Sequence, residues 1–265
     1  MDKKQAKIRN IIDKAVQNLL KNIDSGKSEK LREYLSALAK FHNYSWANML
    51  LISAQCPEAT HVAGFGTWKK MGRFVKKGAK GIAIFAPVLS KKIRMEQEEK
   101  EENKVLAFRT VYVFDISQTG GNPMPESAKV SGDPSGYLTR LKQHISNCGI
   151  ILEYSKRIGT AEWISCGGKI LIKEGLSKAE EFSTLVHEYA HEKLHRCTMV
   201  SKANKKIIET EAEAVAFVVS QAIGLDTNYA SSDYIQLYQG TKETLLEALQ
   251  NIHRTAAEII AGITT

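Results

Sequence analysis

The chain has 265 residues, 43% of them hydrophobic and 25% charged, a globular composition that excludes a wholly disordered protein. Its formal charge of +8 is unevenly spread: residues 1–126 hold 22 Lys and Arg against 13 Asp and Glu, whereas the remainder holds 15 against 16. Basic character confined to the first half disfavours acidic DNA mimicry there and makes a polyanion its natural partner.

Residues 3–22 place Ile8, Ile11, Ile12, Ala15, Val16, Leu19 and Leu20 at helical spacing. Ser28 is placed to cap a second helix through residue 40, with Leu31, Leu35, Leu38 and Ala39 inward, and a third apolar stretch at 46–54 stops before Pro57. The period then changes, and 81–88 and 105–114 read as strands. Between them the almost wholly charged segment 91–104 reads as an exposed hairpin tip or insertion. Glycine, proline and serine concentrate at 119–136, which reads as a linker, so a domain boundary is expected between residues 126 and 127. Beyond it come a helix at 136–146, a strand at 150–154, and a hairpin of 161–165 with 169–173 around Cys166-Gly167-Gly168. Helices at 177–196, 202–223 and 233–260 complete the chain. The expected fold is α+β in two domains, 1–126 and 127–265.

No apolar run approaches the ~18 residues of a membrane span, and the N-terminus has no apolar signal core. A soluble, cytoplasmic protein is expected, with no membrane partner. Cys56, Cys148, Cys166 and Cys197 are scattered without a Cys-x-x-Cys pair, so buried thiols are expected.

His187-Glu188-Tyr189-Ala190-His191 has the His-Glu-x-x-His pattern. On a helix, positions four apart stack on one face, so both imidazoles can reach one metal ion, and the glutamate one step along is placed to act as general base toward a water. Phe182, Leu185, Val186, Tyr189, Ala190 and Leu194 give that helix an apolar surface to bury, and buried polar groups need partners. Catalytic zinc takes a third protein ligand. The third histidine of the metzincin extension is absent, and Leu194 stands at its glycine position. His195 lies too far along the helix to share the ion and reads as a supporting residue. The following helix offers Glu209, Glu211 and Glu213. Glu213 leads into the apolar part of that helix and is the preferred ligand; Glu209, one turn earlier on the same face, is the alternative or orients a ligating histidine. Glu211 is expected to point elsewhere, into solvent.

Residues 67–80 hold six cations (Lys69, Lys70, Arg73, Lys76, Lys77 and Lys80) and no acid, with Trp68 and Phe74 interleaved and Tyr44, Trp46 and Phe65 upstream. Cations along a phosphate backbone with aromatic faces for bases is the combination single-strand binders use. Core aromatics with merely solvated lysines would give the same composition, and both readings stay open.

The stretch 187–195, then Glu209, Glu213, Phe217, Gly224-Leu225 and Tyr234-Ile235 with Tyr238, resembles the zincin-type peptidase module of ArdC-like antirestriction proteins, related to the ImmA/IrrE group. Tyr44-Ser45-Trp46-Ala47-Asn48, Val62-Ala63-Gly64-Phe65, Trp68, Gly72-Arg73, Lys76-Lys77-Gly78, Pro87 and residues 113–119 are similar to the N-terminal domain of the same family. The resemblance covers about residues 10–255. It implies single-stranded DNA binding by the first domain, using Tyr44, Trp46, Trp68 and the six cations. For the second it implies a zincin-like metallopeptidase domain with Zn2+ on His187, His191 and Glu213, Glu188 as base and an unknown protein substrate. The implied setting is a mobile, conjugative element protecting incoming DNA from host restriction. Fold analogy with zincins puts substrate backbone along the strand at 164–172. The rival expectation is a DNA-coating protein whose zinc site is structural or vestigial.

Overall fold

The computed structural model describes residues 3–24, 28–89, 105–123, 134–155, 168–195, 202–225 and 242–264. In chain order the elements are α1 (Lys3–Asp24), α2 (Ser28–Lys40), α3 (Trp46–Gln55), β1 (Val62–Gly64), α4 (Phe65–Lys70), β2 (Arg73–Val75), β3 (Ile82–Leu89) and β4 (Val105–Asp115). A 3-10 turn (Ile116–Gln118) follows, then β5 (Thr119–Gly121), α5 (Ser135–Asn147), β6 (Ile151–Ser155), β7 (Lys169–Lys173), α6 (Lys178–Leu194), α7 (Lys202–Ala222) and α8 (Lys242–Thr264). The chain divides into two compact units, Met1–Asn18 with Ala47–Pro125, and Leu19–Trp46 with Glu126–Thr265. The division is therefore not a single cut, because residues 19–46 group with the second unit.

In the first unit β1, β4 and β3 form an antiparallel sheet in that order. Ile82, Ile84 and Val113 share one face and are buried. The outer edge of β3 is closed by side chains of α3. Asn48 donates to the Phe85 carbonyl (2.7 Å) and accepts from its N–H (2.8 Å). Gln55, two turns on, does the same with Ala83 (2.9 and 3.0 Å). Two amides thus act as a surrogate strand and satisfy an edge that would otherwise recruit another chain.

A second, two-stranded ribbon pairs β2 with β5. This corrects the expected linker: residues 119–121 are strand. Gly121 has a φ of 114°, and a Cβ there would lie 2.5 Å from the Gly72 carbonyl oxygen, so the close crossing requires glycine and the glycines signal packing here. Asp115 anchors the junction. Its buried carboxylate accepts from the N–H groups of Thr60, His61 and Ser117, and Gln118 reaches back to the Asp115 N–H. Burial pushes its pKa up, but these hydrogen bonds outweigh it and hold the group below the usual carboxylate range.

In the second unit, α7 packs against α2, α6 and α8, and α5 packs against α6 and α8. From Ile208 to Ser220 every α7 residue but Glu209 and Glu213 is buried, and those two are half-buried. A helix enclosed on all sides must pair every charge it carries. Strands β6 and β7 run parallel, Ile151 opposite Lys169. The expected hairpin partner of β7, residues 161–165, lies outside the described residues, as do the charged segment 91–104, Cys166, Cys197, Tyr234 and Tyr238. Cys56 is half-buried and Cys148 exposed, so these two are not the buried thiols expected. Among the described residues no helix is long and apolar enough to cross a membrane.

Candidate functional site

Helix α6 starts where its sequence says it should. Ser177 caps it, accepting from the Glu180 N–H while Glu180 accepts from the Ser177 N–H, a reciprocal box. The following turns bury Phe182, Leu185, Val186, Tyr189 and Ala190, which fixes the rotation of the helix and turns His187 and His191 toward α7.

The two Nε2 atoms face each other at 3.1 Å, and Glu209 Oε2 stands 3.6 Å from that of His187 and 3.7 Å from that of His191. Zinc bonded at ~2.0–2.1 Å in a tetrahedron holds its ligand atoms about 3.3 Å apart. The three atoms therefore already have the spacing of one face of such a site, and the N, N, O donor set suits a divalent transition metal. Both Nδ1 atoms are engaged on the far side. His187 Nδ1–H donates to Glu213 Oε2 (3.2 Å), and His191 Nδ1 meets His195 Nδ1 (3.2 Å). With those protons on Nδ1, both Nε2 lone pairs are left for an ion.

The carboxylates around His187 favour its protonated form, so an ion would have to displace the proton on Nε2. Burial pulls the His187 imidazole down, but Glu209, Glu213 and the charge of Glu188 outweigh it and lift its pKa to about 9. Burial lowers the pKa of His191, and the charges of His187 and His195 push the same way. Glu209 is held below the usual carboxylate range by its contacts with His187 and His191. Glu188 is only 5% exposed and close enough to His187 to act on its charge.

Two features of the centre differ from the sequence reading or were absent from it. Glu211 is buried, not solvated, and pairs with His195 Nε2 at 2.7 Å. Each four-residue step advances about 40° around a helix, so by His195 the histidine row has turned toward the Glu211 face of α7. The signal was present in sequence as a third histidine in need of a partner. Glu192, also buried, accepts from the Gly168 N–H (3.2 Å) and so ties the start of β7 to α6. The Glu211–His195 pair orients His191 from behind. Replacing both residues with alanine, which avoids orphaning a buried carboxylate, is expected to weaken metal affinity about 10- to 100-fold. Competition with a chromophoric chelator reads this, and unchanged affinity would reject the role.

The residues read from sequence as DNA contacts separate into two groups. Lys69, Lys70, Lys77 and Lys80 are exposed. Trp68 is 1% exposed and donates to the Phe114 carbonyl (2.9 Å), so its ring is core and offers no face for stacking. Its indole filled the space between helix α4 and the sheet, which a sequence window cannot show. Arg73 donates to Thr119 Oγ1 (2.9 Å) and to the Asn122 carbonyl, and its guanidinium lies 5.9 Å from the Trp68 ring centre. Lys76 is exposed and donates to the Ser117 carbonyl (3.0 Å). Tyr44 and Trp46 fall in the second unit. Tyr44 is half-buried, edge-on to Phe41, and Trp46 donates to the Tyr34 hydroxyl. The first unit's exposed aromatics are instead Phe65, Phe74, Phe108 and Tyr112.

Fold and site together define a mixed α+β protein with a histidine–carboxylate cluster suited to a divalent metal. Residues 2–114 match the family described as the N-terminal domain of anti-restriction factor ArdC. Two crystal structures of the antirestriction protein ArdC from plasmid R388 share the fold, each comparison covering 96% of both chains. The metal-free form gives a TM-score of 0.51 at 19% identity, and the Mn(II)-bound form 0.52 at 17%. The chain is thus similar to the ArdC N-terminal domain over residues 2–114 and shares the fold of the R388 protein. It is also 27% identical to the uncharacterized protein pXO2-81 of Bacillus anthracis, an alignment that takes in 96% of this chain and 51% of that protein. The chain thus spans about half the length of that curated relative.

Proposed function

We propose that this chain is an antirestriction protein of a mobile element, acting in the cytoplasm, with a first unit that binds single-stranded DNA and a zincin-like second unit that is a zinc metallopeptidase. In this reading the ion is held by His187, His191 and Glu209, and Glu213 fixes His187 from behind. The observation that carries it is the convergence of three ligand atoms at metal-ligand spacing beside a buried, ionisable Glu188. Zinc, when bound, supplies Lewis acidity toward a peptide carbonyl. Glu188 accepts the proton of the attacking water and returns it to the leaving amine. Glu213 and the Glu211–His195 pair hold the two imidazoles in one tautomer. Helix α7, enclosed by its neighbours, keeps Glu209 in place without rearrangement.

Zinc is favoured over manganese because two imidazoles and one carboxylate form a nitrogen-rich set of low coordination number. A working metal is favoured over a structural one, since the R388 protein has the same fold in its metal-free and Mn(II)-bound forms. The chain purified without added metal is expected to carry close to one zinc ion by mass spectrometry, and the His187→Ala/His191→Ala variant none. Folded wild-type protein that takes up no divalent metal would sink the metal reading.

A further inference from the structure

We propose that the outward face of β4 is the base-stacking platform of the single-stranded DNA site. The proposal rests on the DNA-binding reading of the first unit and names its surface. Alternate residues of a strand share a face, so Phe108, Thr110, Tyr112 and Phe114 form one row, opposite Val113 and its buried neighbours, with Leu106 at the bulge beyond its end. Leu106 is 64% exposed, Phe108 58% and Tyr112 52%. Phe108 lies opposite Pro87, and Tyr112 opposite Ala83. Large apolar side chains exposed along one strand are an unusual expense of solubility unless something covers them.

The surrounding charge identifies what does. Over residues 59–89 and 105–123 the chain holds seven cations, Lys69, Lys70, Arg73, Lys76, Lys77, Lys80 and Arg109, and one acid. That acid, Asp115, is buried and fully engaged by backbone N–H groups. A polyanion thus meets no exposed negative charge on these segments, the exposed Glu58 standing just before them. One of these cations, Lys80, leads directly onto the row. A Cβ on Gly81 would lie 3.0 Å from Tyr112 Cβ and 3.2 Å from the Phe114 ring, so both aromatics pack on the bare backbone directly after Lys80. The Gln118 amide holds the Lys80 carbonyl (2.8 Å) and fixes that junction. At ~3.3 Å per residue, Phe108 and Tyr112 stand about 13 Å apart, room for two bases splayed along the strand with the backbone running back over the lysines. Rings are sequence-tolerant partners, because every base has a π-face.

The test is anisotropy of labelled oligo-dT and of an abasic oligonucleotide of equal length, with wild type and with Phe108→Ala/Tyr112→Ala. The expected result is a loss of at least about fivefold per ring on oligo-dT, with abasic affinity unchanged and ultraviolet cross-links to thymine mapping to β4 in the wild type. Unchanged oligo-dT affinity would overturn the platform while leaving the DNA-binding reading intact. Equal losses on both oligonucleotides would also overturn it, showing that the rings support the fold and not the bases. No wild-type affinity for either oligonucleotide would overturn the DNA-binding reading itself. A wild-type dimer that the variant turns monomeric, with DNA affinity unaltered, would assign the face to a second copy instead.

Discussion

Glu188→Gln is expected to abolish protein cleavage while leaving zinc content and single-stranded DNA affinity in place. The amide keeps the size of the side chain and its place on α6, but it cannot accept a proton, and losing a general base costs about 10²- to 10⁴-fold in rate. Its negative charge also acts on His187, so the variant is to be assayed with metal in excess, where a modest fall in affinity is without effect. Because the substrate is unknown, the readout is a proteomic comparison of new N-termini in host cells expressing wild type or variant. Peptides generated by wild type and missing with the variant support the enzyme and name its substrate. A variant that generates the same termini, or that protects incoming DNA as well as wild type while no termini differ, would favour a DNA-coating role with an idle metal site.

The parts of this molecule legible in sequence are those whose signal is local. His187, Glu188 and His191 declare themselves by spacing on an apolar helix, and the capping box at Ser177 shows where that helix begins. The long strands β3 and β4 are visible as apolar runs. The third ligand position is different. Glu209 and Glu213 lie on one face of α7, and their order depends on how far α7 slides along α6, which is a tertiary quantity that no spacing rule contains. The slide puts Glu209 Oε2 within reach of both Nε2 atoms and leaves Glu213 at His187 Nδ1. Glu211 is buried and not solvated for a related reason, since the same packing of α7 on α6 brings its carboxylate to His195 Nε2.

Trp68 shows the opposite hazard. Its place among lysines gave it the look of a stacking residue, yet six residues of helix and three of strand were enough to turn it inward. Asn48, Asp115, Gln118 and Thr119 belong to the motifs that carried the family resemblance, and their side chains are spent on backbone groups of β3, the 3-10 turn and the loops beside them. These motif side chains therefore hold the backbone at Thr60, Lys80, Phe85 and Ile116 in position. The exposed cations and rings, Lys76, Lys77 and Phe65 of those same motifs among them, are thus the place to look for binding.

Neutralising the exposed cations is accordingly expected to have the second large effect. In the quadruple Lys→Gln variant at 69, 70, 76 and 77, single-strand affinity falls for every sequence tested, and its salt dependence flattens. Each phosphate contact on a single strand contributes about 0.7 to the slope of log affinity against log salt, so four contacts would remove about 3. Lys76 is not equivalent to the others, because its ammonium donates to the Ser117 carbonyl. If that bond persists in the complex, the flattening is nearer 2, and restoring Lys76 alone changes the slope little while the other three each restore their share. Fold loss is not a competing explanation for Lys69, Lys70 and Lys77, which are exposed, and thermal melting of the variant within a degree or two of wild type checks it. Slope and affinity both unchanged would mean that these lysines are only a solvated face, and that whatever binds DNA in this protein does so elsewhere.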